Sequence, residues 1–523
     1  MSERHLLERD PLFSNEDTQQ IWDKYCGFLD LSIGEFMIIQ EQLLVKQLEI
    51  FAYSTIGKRI LKGQKPKGIE EFRQMVPFTN YEDYEPYFNT KKEEVLSEKP
   101  IIWAYTSGMS GFPKWTPYTR DSLNRLADNT IAALILSSAT HKGEVHVHDG
   151  IKMVLNLLPI PYISGIMSFA AGHLLDYEAI PPLAESAKMQ FEERIKESFK
   201  IALSSGIDYA CSLAAILVKV GESYAQIGGK RKFFLPSQHP KAVLRLLRAV
   251  IQSKLMGRPL LPKDLWKVKG LVCSGADTSV FRDAITYYWG VQPLGIYITT
   301  ESGFIAMQGW NKKGMTFIPY TNFYEFIPEE EWLKSRGDLN YCPKTILLDE
   351  VEAGKTYEIV ITNFNGGAFI RYRIGDLIKI VAVNDEETEV NLPQMVYLCR
   401  ADELIDILGL SRLDENILWR AIQNLGIPYV DWTARKEYIS GKPMVHIYIE
   451  TIENVNQENI CHSLDEELII LDKDYEHFRN LMEFNPLKVT LLKQGAFQEY
   501  LQSGQIKPPH INASEKMIGI LLH

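Results

Sequence analysis

The sequence lacks the features that mark membrane-spanning, secreted and nucleic-acid-binding proteins. No run of 18 consecutive apolar residues occurs, so we expect no membrane-spanning helix. The six cysteines are scattered and form no C-x-x-C pair, which disfavours a disulfide framework or a zinc site. The formal net charge of -11 disfavours a polyanionic partner. The first residues do not resemble a secretory signal. We therefore expect a cytoplasmic protein with neither a nucleic-acid nor a membrane partner.

The overall composition is that of an ordinary globular protein. Hydrophobic residues make up 46% of the chain and charged residues 24%. A chain of 523 residues is long for one hydrophobic core. We therefore predict a large body and a smaller second domain.

The periodicity of apolar residues changes along the chain. Roughly the first 100 residues have helical spacing and predict a helical layer. From 101 to 310, short β-rich runs alternate with helical patterns such as 239–255, which predicts an α/β body with parallel strand pairing. The β-rich runs are 101–107, 152–160, 269–275 and 294–301.

The pattern after residue 310 is different. Two alternating runs, 355–363 and 368–383, flank an Asn-Gly turn at 364–367, which predicts antiparallel strands. Beyond Ile407 we predict a small α+β unit. Its expected elements are a helix in 416–426, a strand at 444–450, one helix through 466–484 and a strand at 487–492.

The strongest functional signal is a loop rich in hydroxyls and glycines that follows an apolar strand. It reads Thr106-Ser107-Gly108-Met109-Ser110-Gly111-Phe112-Pro113-Lys114. Glycines let backbone N–H groups approach phosphate oxygens, hydroxyls add donors, and lysine supplies a positive charge. The spacing does not fit a Walker A loop. The alternative is an ordinary Gly/Ser turn.

This loop resembles the [ST]SG[ST]TGxPK signature of the adenylate-forming superfamily, which includes acyl-CoA synthetases, luciferases and peptide synthetase adenylation domains. The sequence departs from the signature at Met109, where the family usually has Ser or Thr. The resemblance implies that Lys114 is catalytic and that ATP is bound by six loop residues. These are Thr106, Ser107, Gly108, Met109, Ser110 and Gly111.

Further segments resemble the superfamily in the same order. Tyr297–Glu301 resembles its YGxTE segment, with Ile298 in place of glycine. The resemblance implies that Tyr297 lies against adenine, that Thr299 and Thr300 meet phosphate, and that Glu301 holds Mg²⁺. Carboxylate oxygen is a suitable ligand for this ion. Upstream, Gly275 and Ala276 resemble the loop that borders adenine.

Three segments near the end of the chain complete the resemblance. Tyr372–Asp376 resembles the YRxGD segment, which implies that Asp376 accepts hydrogen bonds from the ribose. Arg400–Asp406 resembles the hinge segment, which implies a nucleotide contact for Arg400 and a hinge at Asp402. Lys507 matches the late lysine, a cation for the α-phosphate or the acyl carboxylate. His510 stands where the branch discussed next usually has arginine.

Over nearly its whole length the chain resembles the acyl-acid amido synthetases, typified by plant enzymes that conjugate auxin, jasmonate or benzoates to amino acids. Residues 71–88 and 261–277 and the tail around Lys507 carry this likeness. The implied reaction adenylates a carboxylic acid with MgATP and transfers the acyl group to an amino acid. No nucleophilic residue is nominated.

The implied fold is α/β, with a large N-terminal body of several subdomains and a small α+β C-terminal domain. The body contains sheets packed with helices and a β-barrel-like part. We place the large domain at 1–399, the hinge at 400–403 and the small domain at 404–523, in a monomer or weak dimer.

Two alternatives stay open. An aryl- or acyl-CoA ligase resembling phenylacetate-CoA ligase would share the loop and the YRxGD segment. A non-catalytic nucleotide-binding or scaffold protein is a different class, which loss of Glu301, Asp376 or Lys507 would have favoured. All three residues are present.

Overall fold

A computed structural model describes most of the chain. The described residues are 10–15, 17–106, 114–226, 239–275, 278–338, 341–401, 404–408, 410–453, 455–502 and 509–522. They divide into two compact units. The first comprises Met1–Ile374 and Ile378–Tyr397, and the second comprises Gly375–Leu377 and Leu398–His523. The predicted boundary at 400–403 stays a prediction.

The N-terminal part of the first unit is helical, as the apolar spacing predicts. The helices are α1 (Leu12–Asn15), α2 (Thr18–Cys26), α3 (Ile33–Tyr53), α4 (Thr55–Leu61), α5 (Ile69–Met75) and α6 (Glu85–Phe88). The longest of them, α3, begins at a capping box, in which the Ser32 hydroxyl accepts from Glu35 N and the Glu35 carboxylate accepts from Ser32 N.

The rest of the first unit contains a large sheet, a separate two-stranded sheet and helices. Its strands are β1 (Ile102–Thr106), β2 (Lys114–Tyr118), β3 (Ile151–Asn156), β4 (Tyr177–Ile180), β5 (Tyr209–Leu213), β6 (Gly270–Ser274), β7 (Pro293–Thr299), β8 (Gly303–Gln308), β9 (Met315–Phe317), β10 (Asn322–Pro328), β11 (Thr356–Asn363), β12 (Tyr372–Ala382) and β13 (Gln394–Arg400). The helices are α7 (Arg120–Ser138), α8 (Ile163–Leu174), α9 (Leu183–Ser186), α10 (Phe191–Ser205), α11 (Ala214–Ala225), α12 (Pro240–Leu255), α13 (Pro262–Leu265), α14 (Thr278–Trp289) and α15 (Glu329–Gly337).

Strand order in this sheet is β10-β11-β12-β13-β9-β8-β7-β6-β5-β3-β4. Pairing is parallel from β4 through β3, β5 and β6 to β7, as expected for an α/β body. The expectation is wrong for 101–107, because β1 pairs antiparallel with β2 in a separate two-stranded sheet. A short apolar run does not specify its partner strand.

Antiparallel pairing begins at β7 and β8 and continues through β9 to β13. The turn predicted at 364–367 is present, since Asn365 and Gly366 have φ of 59° and 73°. The strand after it begins at Tyr372 rather than at residue 368. Residues 368–371 are instead held by side chains; for example, Phe369 N donates to Asn363 Oδ1 at 3.0 Å.

The second unit is the small α+β domain that the sequence predicts. It contains β14 (Leu404–Ile407), β15 (Ser411–Asp414), α16 (Glu415–Asn424), β16 (Tyr429–Ile439), β17 (Lys442–Thr451), α17 (Gln457–Leu471), α18 (Lys473–Met482), β18 (Leu487–Leu491), α19 (Ala496–Gln502) and α20 (Glu515–Leu522). β16-β17-β18 form one sheet. The single helix predicted over 466–484 is wrong, because Asp472 ends α17 and its carboxylate caps α18 through Tyr475 N.

The fold class predicted from the sequence is confirmed: a mixed α/β protein with a large sheet and a smaller C-terminal sheet. The main core of the first unit joins the N-terminal helices, α7 and the sheet, with Trp22, Leu134 and Phe326 among its fully buried side chains. None of the described helices is long and apolar enough to cross a membrane.

Candidate functional site

The hairpin of β1 and β2 closes the predicted phosphate loop. Thr106 and Lys114 face each other in the antiparallel register, and the Thr106 hydroxyl donates to Lys114 O at 3.4 Å. The residues between them, 107–113, lie outside the described part of the chain, and so do the predicted contacts Ser107, Gly108, Met109, Ser110 and Gly111. Strand pairing and this hydrogen bond therefore join the two described ends of the loop.

The side chain of Lys114 lies beside a buried tyrosine. Its Nζ is 5.2 Å from the centroid of the Tyr81 ring, and the Tyr81 hydroxyl accepts from Trp115 N at 2.6 Å. Burial raises the pKa of Tyr81 to about 12, and the negative charge of Glu301 adds to the rise. Lys114 thus lies beside a tyrosine whose pKa the charge of Glu301 also raises.

The turn between β7 and β8 presents Glu301. Three side chains hold its backbone carbonyls: Tyr118 donates to Thr300 O at 3.0 Å, Asn363 to Glu301 O at 3.1 Å, and Asn322 to Ser302 O at 3.0 Å. Within the described residues the Glu301 carboxylate itself has no hydrogen-bond or ion-pair partner. The turn is fixed while its carboxylate stays available.

A metal at this turn would have one protein carboxylate. No group of three His, Cys, Asp or Glu residues that could hold a metal comes together among the described residues. That arrangement fits Mg²⁺, which commonly takes one or two carboxylates and completes its shell with substrate phosphates and water. It does not fit a structural zinc site, which is four-coordinate and closed.

Tyr118 holds this turn from strand β2. Its side chain is buried, and burial together with the Glu301 charge raises the pKa of its hydroxyl. Tyr118→Phe leaves Thr300 O without its donor, so we expect the free energy of unfolding to fall by about 1–2 kcal/mol. Urea denaturation measures the change. Tyr287→Phe, at an exposed tyrosine, is the matched control and should have no effect. Equal stability of Tyr118→Phe and the wild type would show that the hydrogen bond to Thr300 O does not stabilise the turn.

The other predicted nucleotide contacts of this unit lie at the carboxyl ends of parallel strands. Gly275 follows β6 with φ of 109°, a conformation that suits glycine, and Thr299 ends β7. Ligands of open α/β sheets bind at this edge. Ala276 lies outside the described residues.

Three residues predicted to contact nucleotide are buried or hydrogen-bonded within the protein: Tyr297, Thr299 and Thr300. Tyr297 is buried with its ring 5.7 Å from that of Tyr397, at a β-bulge where the register with β8 shifts between Tyr297 and Ile298. The Thr299 hydroxyl bonds to the Ser302 hydroxyl at 2.8 Å, and Thr300 is buried. A bulge changes the direction of the side chains that follow it, here those from Ile298 onward.

Two predicted residues form an ion pair in the second unit. Asp376 is buried, and its Oδ1 lies 3.2 Å from Arg400 Nη1. Gly375 has φ of 78°, and its carbonyl accepts from Ala401 N at 2.7 Å. The pair orients the Asp376 carboxylate. The predicted Asp402 and Lys507 lie outside the described residues.

His510 is held on both sides in the second unit. Its Nδ1 lies 2.5 Å from Glu415 Oε1, its Nε2 lies 2.8 Å from Asp431 Oδ1, and its ring stacks on Trp432 at 4.6 Å. Its carbonyl accepts from Ala434 N at 2.7 Å. The hydrogen bonds to Asp431 and then to Glu415 raise the pKa of His510. The imidazole of His510 therefore anchors the chain three residues after Lys507.

The hydrogen bonds of His510 with Glu415 and Asp431 predict a pH-dependent stability. Because the folded pKa of His510 lies above its ordinary value of 6.5, its stabilising contribution is complete below that value and is lost as pH rises through the folded pKa. We expect the difference in thermal midpoint between wild type and His510→Gln to be largest near about pH 6 and to shrink by about pH 9. His462→Gln, at an exposed histidine, serves as control. A difference in thermal midpoint that does not change with pH would refute this role of His510.

Sequence reasoning missed Tyr81, Tyr118 and Asn363, which position Lys114 and Glu301. Their partners are far away in the chain; Tyr118 and Thr300 are 182 residues apart. One feature of the sequence could have indicated Tyr118: it lies four residues after the loop lysine, Lys114.

Comparison with known proteins assigns a family. Models of the GH3 family N-terminal, central and C-terminal domains match residues 29–156, 315–400 and 415–516, which together are more than half of the chain. A jasmonoyl–L-amino acid synthetase of Oryza sativa subsp. japonica is 28% identical over 46% of this chain and 38% of its own length. A 4-substituted benzoates–glutamate ligase of Arabidopsis thaliana is 25% identical over 39% and 38%. These alignments thus span about two fifths of each relative.

One longer alignment and two solved structures extend the comparison. An indole-3-acetic acid-amido synthetase of Arabidopsis thaliana is 23% identical over 86% of this chain and 87% of its own. An acyl acid amido synthetase solved with 2,4-DB has a TM-score of 0.51, 18% identity and 95% coverage of both chains. A 2-hydroxyisobutyryl-CoA ligase solved with 2-HIB-AMP and CoA has a TM-score of 0.56, 12% identity and coverage of 94% and 92%. Both structures share the fold. On the three domain matches, the chain belongs to the GH3 family.

Proposed function

We propose that this GH3 protein is an ATP-dependent acyl-acid amido synthetase. It converts a carboxylic acid into its acyl-adenylate and then into an amide of an amino acid. The observation that carries the proposal is the base of the predicted phosphate loop. Thr106 and Lys114 face each other there, and Tyr118, on the same strand as Lys114, holds the turn of Glu301, whose carboxylate has no partner among the described residues.

Residues of the first unit would bind the polyphosphate. The loop from Thr106 to Gly111 supplies backbone and hydroxyl donors, and Lys114 supplies a cation. Glu301 would hold Mg²⁺ together with phosphate oxygens, and the bound ion supplies charge neutralisation at the leaving pyrophosphate. The fixed turn around Thr300 supports this role because it needs no rearrangement when charge develops.

The nucleoside contacts follow from the family resemblance. Tyr297, Gly275 and Ala276 would border adenine, and Thr299 and Thr300 would meet the phosphate. In the second unit, Asp376 would accept from the ribose hydroxyls, with Arg400 orienting its carboxylate. Asp402 would be the hinge between domains 1–399 and 404–523.

The reaction has two balanced steps. The acid carboxylate attacks the α-phosphorus of ATP, the P–O bond to pyrophosphate breaks, and Lys507 stabilises the charge that develops. The amine of the amino acid then attacks the acyl carbon, AMP leaves, and the ammonium proton passes to solvent. Positioning and fixed charges lower both barriers without a covalent enzyme intermediate.

The substrate class follows from the relatives. They are named for jasmonate, benzoate and indole-3-acetate conjugation, so we propose an aryl or alkyl monocarboxylic acid and an amino acid as the pair for this chain. We also propose a monomer or weak dimer in the cytoplasm.

The test is pyrophosphate release by purified protein with MgATP across a panel of such acids, each with amino acids, with CoA or with neither. Acid-dependent release that an amino acid accelerates supports the proposal. Acceleration by CoA alone would make the protein a CoA ligase. No release with any acid, together with no ATP binding by calorimetry, would identify a non-catalytic scaffold.

A further inference from the structure

Helix α12 packs against the body with its small side chains. Ala242, Ala249 and Ser253 are the residues on its buried face. Arg245 fixes the orientation of the helix, because its guanidinium donates to Ala202 O at 2.8 Å and Leu203 O at 2.6 Å near the end of α10. The large apolar side chains of α12 are therefore turned outward.

These side chains form an exposed apolar stripe. Leu244, Leu247, Ile251 and Leu255 are 50%, 55%, 59% and 84% exposed. Their spacing of three and four residues puts them on one side of the helix, over a length of about 17 Å. Single exposed apolar residues are ordinary, whereas a contiguous row of large ones marks an interaction surface.

The stripe lies in a strongly basic stretch of an acidic protein. Residues 223–263 contain nine Lys and Arg and no Asp or Glu, although the chain has a net charge of -11. Lys241, Arg248 and Lys254 are exposed on α12, and none of them has an ion-pair partner among the described residues. By helical spacing, Lys254 falls at one edge of the stripe, and Arg248 and Lys241 fall along the other edge.

We propose that α12 is a docking surface for an anionic lipid bilayer. The helix lies along the membrane, its leucine and isoleucine side chains enter the headgroup boundary, and Lys241, Arg248 and Lys254 meet the anionic lipids. Large apolar side chains next to cations characterise interfacial helices, and long basic side chains can reach the headgroups from within an apolar face. This is peripheral binding without a spanning helix, and it replaces the expectation of no membrane partner.

Two other partner classes fit less well. Nucleic acid would leave four large apolar side chains against a polar, charged surface. An acidic protein would need an apolar groove about as long as the stripe, whereas a bilayer accepts a convex helix without shape matching.

The experiment is sedimentation of the full-length protein with vesicles at low salt. The vesicles contain phosphatidylcholine alone or with about 30% phosphatidylserine. We expect binding to the anionic vesicles to exceed binding to neutral ones about tenfold and to fall as salt is raised. Leu247→Glu/Ile251→Glu should weaken anionic binding at least about tenfold, and Arg248→Glu should weaken it less.

The control is Ile470→Glu, which changes a 70% exposed isoleucine on α17 and should bind like the wild type. Because all substituted residues are exposed, thermal midpoints should match and separate lost binding from lost folding. No binding to anionic vesicles, or binding that Leu247→Glu/Ile251→Glu leaves unchanged, overturns the proposal. A wild-type dimer that this variant dissociates, without vesicle binding, would instead make the face a contact between two copies.

Discussion

Replacing Lys507 with alanine is expected to slow acid-dependent pyrophosphate release about 1,000-fold, because a fixed cation would no longer stabilise charge at the α-phosphate. ATP binding should be nearly unchanged, since Lys114 and Asp376 remain. Single-turnover pyrophosphate release at saturating MgATP and acid measures the first effect, and calorimetry measures the second.

The position of the lysine also predicts which step is affected. Conversion of a supplied acyl-adenylate to the amide should stay within about threefold of the wild type, because pyrophosphate has already left. Lys473→Ala is the control, since this exposed lysine lies on α18 of the same unit. A Lys507→Ala protein with a normal rate of pyrophosphate release would remove Lys507 from the mechanism.

Glu301→Gln is expected to lower the rate of pyrophosphate release about 100-fold at fixed Mg²⁺, because the amide keeps the shape but loses the charge. The Mg²⁺ concentration for half-maximal rate should rise about 10-fold to 100-fold. A Mg²⁺ titration of the rate and of ATP affinity by calorimetry measures both.

The fixed turn makes this substitution specific. Tyr118, Asn363 and Asn322 bind backbone carbonyls of the turn rather than the Glu301 carboxylate, so the fold should be unaffected. Glu178→Gln, at an exposed carboxylate on β4, is the matched control. An unchanged Mg²⁺ requirement in Glu301→Gln would show that another group holds the ion.

Local chemistry made part of the site predictable. The Gly- and Ser-rich stretch between Thr106 and Lys114 carries its own conformational and hydrogen-bonding requirements, so a loop after a strand follows from the letters alone. The same holds for the turn at Asn365 and Gly366, where both residues adopt positive φ. Such features depend on a few neighbouring residues.

Contacts between distant residues were not predictable. Nothing near Tyr118 indicates that its hydroxyl binds Thr300 O, and nothing near Asn363 indicates Glu301 O. The break at Asp472 was missed because apolar spacing continues across it, although aspartate is a good N-cap for α18.

Helix α12 shows most clearly which features the sequence determined and which the tertiary structure decided. The sequence by itself determined the α/β class, the turn at Asn365 and Gly366 and the helical spacing in 239–255, because each depends on periodicity or on chemistry within a few residues. Only the tertiary structure decided that Ala242 and Ala249 face inward while Leu247 and Ile251 face solvent. Close packing on α10 admits small side chains, and two carbonyls fix Arg245 there. The same reason applies to Glu301, whose availability depends on donors from three distant parts of the chain.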